Sequence, residues 1–155
     1  MRVFKFGGAS VKNAEGVKNL VSVLSEMGHE NTVVVVSAMG KTTNAFENIV
    51  ESYFETHNSY LEALYDIEIF HQKIIKDLFE NKNTLISEKV KNLFNQCKIF
   101  LANNRSPRNA FVYDQVVSFG ELISTSIICG YLNHVGLAAD WIDSRTCVKT
   151  DNYYR

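Results

Sequence analysis

The chain has 155 residues, 46% of them apolar and 21% charged, which fits one domain and excludes the disordered and fibrous classes. Sixteen basic residues stand against seventeen acidic ones, and no long run of either sign marks a nucleic-acid or membrane-surface patch. No apolar run reaches the roughly 18 residues of a membrane span, and Cys97, Cys129 and Cys147 lack CxxC spacing, which suits small semi-buried thiols in a reducing, cytoplasmic compartment.

Val3, Phe4 and Phe6 form a short β-rich run that goes straight from Met1 to Gly7-Gly8, without the apolar core of a signal peptide. From about Val11 to Met27, Val17, Leu20, Val21 and Leu24 recur at spacings of three and four, which predicts a helix that Gly28 and His29 end. Thr32 and the valines at 33–36 make a continuous β-branched run, the pattern of a parallel strand covered on both faces. It stops at Ser37-Ala38-Met39-Gly40, and a second helix is expected to begin near Thr43. Strand, loop and helix, twice over, predict an α/β fold with a parallel sheet.

Residues 59–104 read as helical almost throughout. Leu64, Ile67, Ile74 and Leu78 carry one stripe, Val90, Leu93, Cys97 and Leu101 another, with Asn81-Lys82-Asn83 as the break. A helical pair inserted in an α/β protein packs across an edge as a cap or an interface. His71 falls on the first stripe and reads as a core or boundary histidine rather than a ligand or catalyst. After a polar loop around Pro107, residues 112–117 suggest a short extended piece. Leu122, Ile123, Ile127, Ile128, Tyr131 and Leu132 predict a further helix capped by Gly136, and residues 138–142 a third strand.

Three segments carry possible chemistry. Lys5-Phe6-Gly7-Gly8-Ala9-Ser10 sets a lysine at a strand end before two glycines and a hydroxyl residue that opens a helix. The glycines let main-chain N–H groups approach a phosphate, the helix start adds partial positive charge, and Lys5 supplies a full one. The spacing fits a plain strand-to-helix turn with a solvated lysine equally well. Gly40-Lys41-Thr42 matches the end of a P-loop, but the first glycine of that motif would fall at Val35, inside a strand, which excludes the cradle. Two polar loops at the same edge of a parallel sheet still define a crevice. Ser118-Phe119-Gly120-Glu121 reads first as a capping box, with Ser118 as N-cap and Glu121 reaching back.

Together these segments resemble a known family. Lys5-Phe6-Gly7-Gly8-Ala9-Ser10-Val11 is similar to the KFGGTSV opening of aspartate kinases, and Val35-Val36-Ser37-Ala38-Met39-Gly40 followed by Thr42-Thr43-Asn44 to their VVSAMGxxTN segment. Ser118-Phe119-Gly120-Glu121-Leu122 with Ser124-Thr125 resembles SFGELLST, and residues 143–153 resemble the stretch that follows it. Acetylglutamate kinase, glutamate 5-kinase and UMP kinase share the fold and the opening loop, but the SFGE segment points to aspartate kinase.

The resemblance implies a three-layer α/β sandwich of the amino acid kinase type, with residues 1–155 forming the N-terminal portion of its catalytic domain. The nucleotide-binding half and the ACT domains would lie elsewhere, so this stretch alone is expected to be inactive. Lys5 would touch the transferring phosphate, with Gly7, Gly8 and Ser10 shaping the loop beside it and Ser37 lining the crevice. Thr43 and Glu121 would hold L-aspartate, Glu121 through its α-ammonium group. The co-substrate would be ATP, with Mg²⁺ held through its phosphates, and the full-length enzyme a homo-oligomer. Ala9 departs from the family's usual threonine. The competing readings are another amino-acid kinase of this fold and a non-catalytic module derived from one.

Overall fold

Two apolar runs far apart in sequence lie side by side. In the computed structural model, which describes residues 1–55, 60–80 and 84–150, Arg2–Phe6 (β1) and Thr32–Val36 (β2) pair in parallel, in register from Arg2↔Thr32 to Phe6↔Val36. A parallel pair needs a crossover, and helix α1, Ala14–Met27, provides it. Asn13 caps α1, its Oδ1 accepting from the Gly16 N–H at 2.9 Å. Val17, Leu20 and Leu24 are buried, as their spacing predicts. The helix starts three residues later than expected: Gly8–Val11 form a separate 3-10 turn, with Lys12 and Asn13 between.

Among the described residues six helices follow: α2 (Thr42–Glu55), α3 (Tyr60–Phe79), α4 (Thr84–Asn103), α5 (Asn109–Val117), α6 (Phe119–His134) and the short α7 (Ser144–Cys147). The stripes on α3 and α4 face inward, with Leu64, Ile67, Ile74 and Leu78 on one and Val90, Cys97 and Leu101 on the other buried, and Leu93 at the margin. Burial pushes the Cys97 thiol up to about 12, so it packs as an apolar group. α6 runs through the centre, packed on α4, α5, α3, α2 and β2. It ends in a Schellman motif: Gly136, at φ 86°, donates to the Asn133 carbonyl, and Leu137 to that of Leu132. The expected break at 81–83 and the tail at 151–155 lie outside the described residues.

Three expectations change. Residues 112–117 are helical, not extended. Val112 and Val116, four apart, are both buried in α5, so a helix buries the β-branched pair on one side where a strand would also place them together but could not continue into α6. Residues 138–142 form no strand. Both main-chain groups of Ala139 pair instead with the side-chain amide of Asn133, at 3.1 and 2.8 Å, and that amide takes the place of a neighbouring strand. β2 is covered on one face only: Val34 and Val36 face the helical core, whereas Val33 and Val35 are each nearly half exposed, in line with exposed Val3 on β1. The residues 109–134 also form a 26-residue helical run long and apolar enough to cross a membrane by length and composition, but most of it is buried inside the protein, as in a core helix.

His71 is a core histidine with one open position. Its Nδ1–H donates to the Ile67 carbonyl at 2.8 Å, its ring meets Phe70 and Phe94, and Nε2 has no partner. Burial lowers its pKa to about 4, against about 6.5 in an unfolded chain. The neutral ring is therefore the folded form, and its contribution is complete above about pH 6.5 and lost as pH falls toward 4, by roughly 3 kcal/mol in all. Urea unfolding of the chain is expected to show this decline, and His71→Leu to flatten that part of the curve relative to wild type. Identical pH dependence in the two proteins would show that His71 protonates freely in the fold.

Candidate active site

β1 and β2 end at the same edge, and the loops that follow touch main chain to main chain. The Ser37 N–H donates to the Phe6 carbonyl at 3.1 Å, and the Gly40 N–H to that of Gly8 at 2.9 Å. A Cβ on Gly8 would lie 2.5 Å from the Ala38 carbonyl oxygen and 3.0 Å from that of Gly40, so only glycine fits there. Thr42 Oγ1 donates to the Met39 carbonyl at 2.6 Å and closes the start of α2, which leaves Thr43 half-buried in the first turn.

The third wall is the first turn of α6. The Ala38 N–H donates to Glu121 Oε1 at 3.3 Å, and Ser124 Oγ to the Ser37 carbonyl at 2.7 Å. Gly120 permits the approach, since a Cβ there would stand 2.9 Å from that of Ala38. The capping box is not made. Ser118 is itself helical, with φ −59° and ψ −21°, and its hydroxyl donates back to the Gln115 carbonyl at 3.0 Å. α5 runs almost directly into α6, so no open helix end needs the carboxylate, and Glu121 turns to the β2 loop.

The structure thus brings Gly7, Gly8, Ser10, Ser37, Thr43 and Glu121 to one end of the sheet, with Ser37 and Glu121 joined through the peptide of Ala38. Lys5 stands one residue before Phe6 on β1, exposed and opposite Val35, on the open face of the sheet. Among the described residues no hydrogen bond or ion pair links it to Ser37 or Glu121. Ser10 is exposed, its N–H donating to the Gly7 carbonyl at 2.9 Å. The expected helix start behind Ser10 is only the 3-10 turn, because α1 begins beyond Asn13. Positive potential at this end therefore comes from Lys5, from Lys12 and Lys41 beside the two loops, and from the N–H groups that open the turn. The amides of Ser37, Ala38 and Gly40 are already engaged in holding the loops together.

Sequence reasoning gave no site role to four contributors, three of which, Ser124, Gly120 and Ala38, stand within the segments it quoted. Ser124, three residues after Glu121, lay within a helical pattern and was legible by that spacing. Gly120 and Ala38 matter only because they are small where two elements meet. Phe70 of α3 gave no signal at all: a Cβ on Gly40 would lie 3.8 Å from its ring and 3.6 Å from the Cβ of Lys12, so a helix far along the chain borders the loop. The 143–150 segment is mostly exposed. Hydrogen bonds from Arg145 hold the Asp143 carboxyl below the usual carboxylate range, and Asp143 caps α7. Among the described residues no three His, Cys, Asp or Glu side chains converge.

The model of the amino acid kinase family matches residues 1–154. The chain belongs to the amino acid kinase family. Within that family it is 34% identical over 148 residues to Aspartokinase 1, chloroplastic, of Arabidopsis thaliana, which covers 92% of this chain and 25% of that protein. It is 27% identical over 152 residues to the bifunctional aspartokinase/homoserine dehydrogenase 2 of Escherichia coli (strain K12), covering 97% of this chain and 18% of that one. The chain therefore spans about a quarter or less of the length of these relatives. Its fold superposes on E. coli aspartokinase III, solved with lysine and aspartate, with a TM-score of 0.85 and 24% identity over 99% of this chain and 34% of the other. This likeness extends the α/β amino acid kinase fold to the helical pair as well as to the two strands.

Because Gly8 abuts carbonyl oxygens rather than a movable side chain, Gly8→Ala is expected to cost about 1–3 kcal/mol. Amide chemical-shift changes should spread from residues 37–40 to Glu121. A variant as stable as wild type, with shifts confined to residues 7–10, would mean the two loops do not touch.

Proposed function

We propose that the chain is the N-terminal portion of an aspartate kinase catalytic domain, residues 1–155, with residues 59–104 as its helical insertion. The reaction is transfer of the ATP γ-phosphoryl group to the side-chain carboxylate of L-aspartate. A carboxylate oxygen attacks the γ-phosphorus, the bond to the bridging oxygen breaks, and ADP leaves with the electron pair, giving 4-phospho-L-aspartate. No proton need move, so catalysis is positioning and charge stabilisation. This step opens the route to lysine, threonine and methionine. The unpaired thiols suit a reducing compartment such as the cytoplasm.

The observation that carries the reading is the junction at Ala38, where a carboxylate from α6 meets the β2 loop directly beside the glycine turn of β1. Lys5 follows the charge on the transferring phosphoryl oxygens, and Gly7, Gly8 and Ser10 keep the turn bare enough for main-chain N–H groups to approach. Ser37 lines the crevice between them. Glu121 accepts from Ala38 through one oxygen and keeps the other for the α-ammonium of aspartate, with Thr43 beside it. Ala9 removes a hydroxyl from the turn but none of its main-chain donors. Magnesium would be carried by the ATP phosphates, as in other phosphoryl transfers.

The test is ADP release by the intact protein with aspartate, glutamate and acetylglutamate compared. Turnover with aspartate alone is expected; turnover only with the other two acceptors would overturn the reading. Lys5→Ala should lower kcat by about 10²–10³, the usual effect of removing one charge-stabilising group. Glu121→Gln keeps an acceptor for Ala38 and should raise the KM for aspartate by about tenfold, leaving the KM for ATP within about twofold, as loss of one charged contact predicts. An equal rise in both KM values would argue for a distorted loop rather than a lost ammonium contact.

A further inference from the structure

After α6 the chain turns back along it. Residues 139, 141 and 143 are half-buried while 138, 140 and 142 are exposed, the alternation of an extended segment with one face against the helix. Two extended residues advance about 6.6 Å and four helical ones about 6 Å, so this segment keeps step with a stripe on α6 that recurs every four residues. The Ala139 carbonyl accepts from the Asn133 amide at 2.8 Å and from the Cys129 thiol at 3.5 Å. One step on, the Trp141 indole N–H donates to Thr125 Oγ1 at 2.9 Å. Four residues before Thr125 the same stripe reaches Glu121.

Thr125 is the joint. Its hydroxyl donates to the Glu121 carbonyl at 2.6 Å and only at 3.4 Å to that of Leu122. A threonine in a helix divides between two rotamers because Oγ1 can reach the carbonyls of the preceding turn, and such a back-bond bends the helix slightly. The indole N–H occupies the acceptor side of the same oxygen, so the hydroxyl proton is directed at Glu121. Trp141 is itself held: Lys89 Nζ of α4 lies 4.4 Å from its ring centre.

We propose that Trp141 is a positioning residue for Glu121: through Thr125 it fixes the first turn of α6, and so the aim of the carboxylate at Ala38 and at the substrate ammonium group. The second half of this role rests on Glu121 binding that ammonium, as proposed above; the link from Trp141 to Ala38 rests on geometry alone. The β2 loop fastens the turn through Glu121 and Ser124, and Trp141 fastens it from the segment that follows α6. Held by the loop alone, the turn is free to tilt. The Ala38 contact, at 3.3 Å, is already at the long end for an N–H···O bond, so a small tilt breaks it.

Trp141→Phe keeps a ring over Lys89 and removes the donor, and Thr125→Val removes the hydroxyl at nearly constant shape. In this chain each should move the Ala38 amide resonance toward its position in Glu121→Ala. In the intact protein each should raise the KM for L-aspartate about fivefold, the effect of one neutral hydrogen bond, with kcat and the KM for ATP within about twofold. The double variant should match Thr125→Val alone, because both residues act through one oxygen, and Thr125→Ser should restore wild-type values. Asn133→Ala loosens the same segment at Ala139 and should leave the Ala38 resonance and both KM values in place. An Ala38 resonance that Trp141→Phe does not move overturns the proposal. So does an Asn133→Ala variant that behaves like Trp141→Phe, which would make Trp141 only an anchor, or an unchanged KM in a protein that turns over aspartate. A moved resonance in a protein that does not use aspartate upholds the link from Trp141 to Glu121 and overturns only the substrate assigned to Glu121.

Discussion

The main chains of two strand-end loops lie in direct contact, with no side chain between them. The Gly40 N–H donates to the Gly8 carbonyl at 2.9 Å while the Ala38 carbonyl sits where a Gly8 side chain would be. Such an approach locks the loops more firmly than side-chain packing could, because main-chain atoms have no rotamers with which to retreat. It also sets the position of everything attached. The glycine turn is held beneath Lys5, the β2 loop turns into α2 at Thr42, and the Ala38 amide is left pointing outward to meet Glu121.

That last contact joins the sheet to the helical layer. α6 reaches the loop with a glycine at the point of closest approach, then a carboxylate, then a serine whose hydroxyl closes on the Ser37 carbonyl. Along α6 Ile123, Ile127, Ile128, Tyr131 and Leu132 are buried, so the first turn is anchored from behind by the core. The arrangement explains why Glu121 does not cap its own helix. An unbroken run from α5 leaves no orphan amides there, and the carboxylate serves an amide on another element. The helical pair closes the far side, with Phe70 against the loop and His71 one residue on, fully buried between α3 and α4.

Charge is distributed to match. The chain is nearly neutral as a whole, yet its lysines at the loop end create a local positive field there. The valines of β1 and β2 show the same economy in apolar form. One face of the sheet packs on the helices, and the other keeps Val3, Val33 and Val35 open on either side of Lys5.

Much of this was legible in the residues. The two strands, the long helices and the inward stripes follow from periodicity, because a buried face recurs with the local geometry of its own element. The glycine-rich loops and their shared sheet edge follow too, since a turn without side chains and a parallel crossover both leave marks in sequence. What sequence could not decide depends on atoms distant along the chain. Residues 112–117 have the composition of a strand but are helical because Val112 and Val116 bury together in a run that continues into α6. Residues 138–142 also read as a strand and form none, since an asparagine side chain took the hydrogen bonds a neighbouring strand would have offered. The valine run of β2 promised cover on both faces and has it on one. Glu121 looked like a cap until Ser118 proved helical. The sequence by itself determined the elements and the chemistry each carries; which partner each polar group meets was decided only by tertiary packing, because hydrogen bonds and burial are satisfied by the nearest group in space, whatever its distance along the chain.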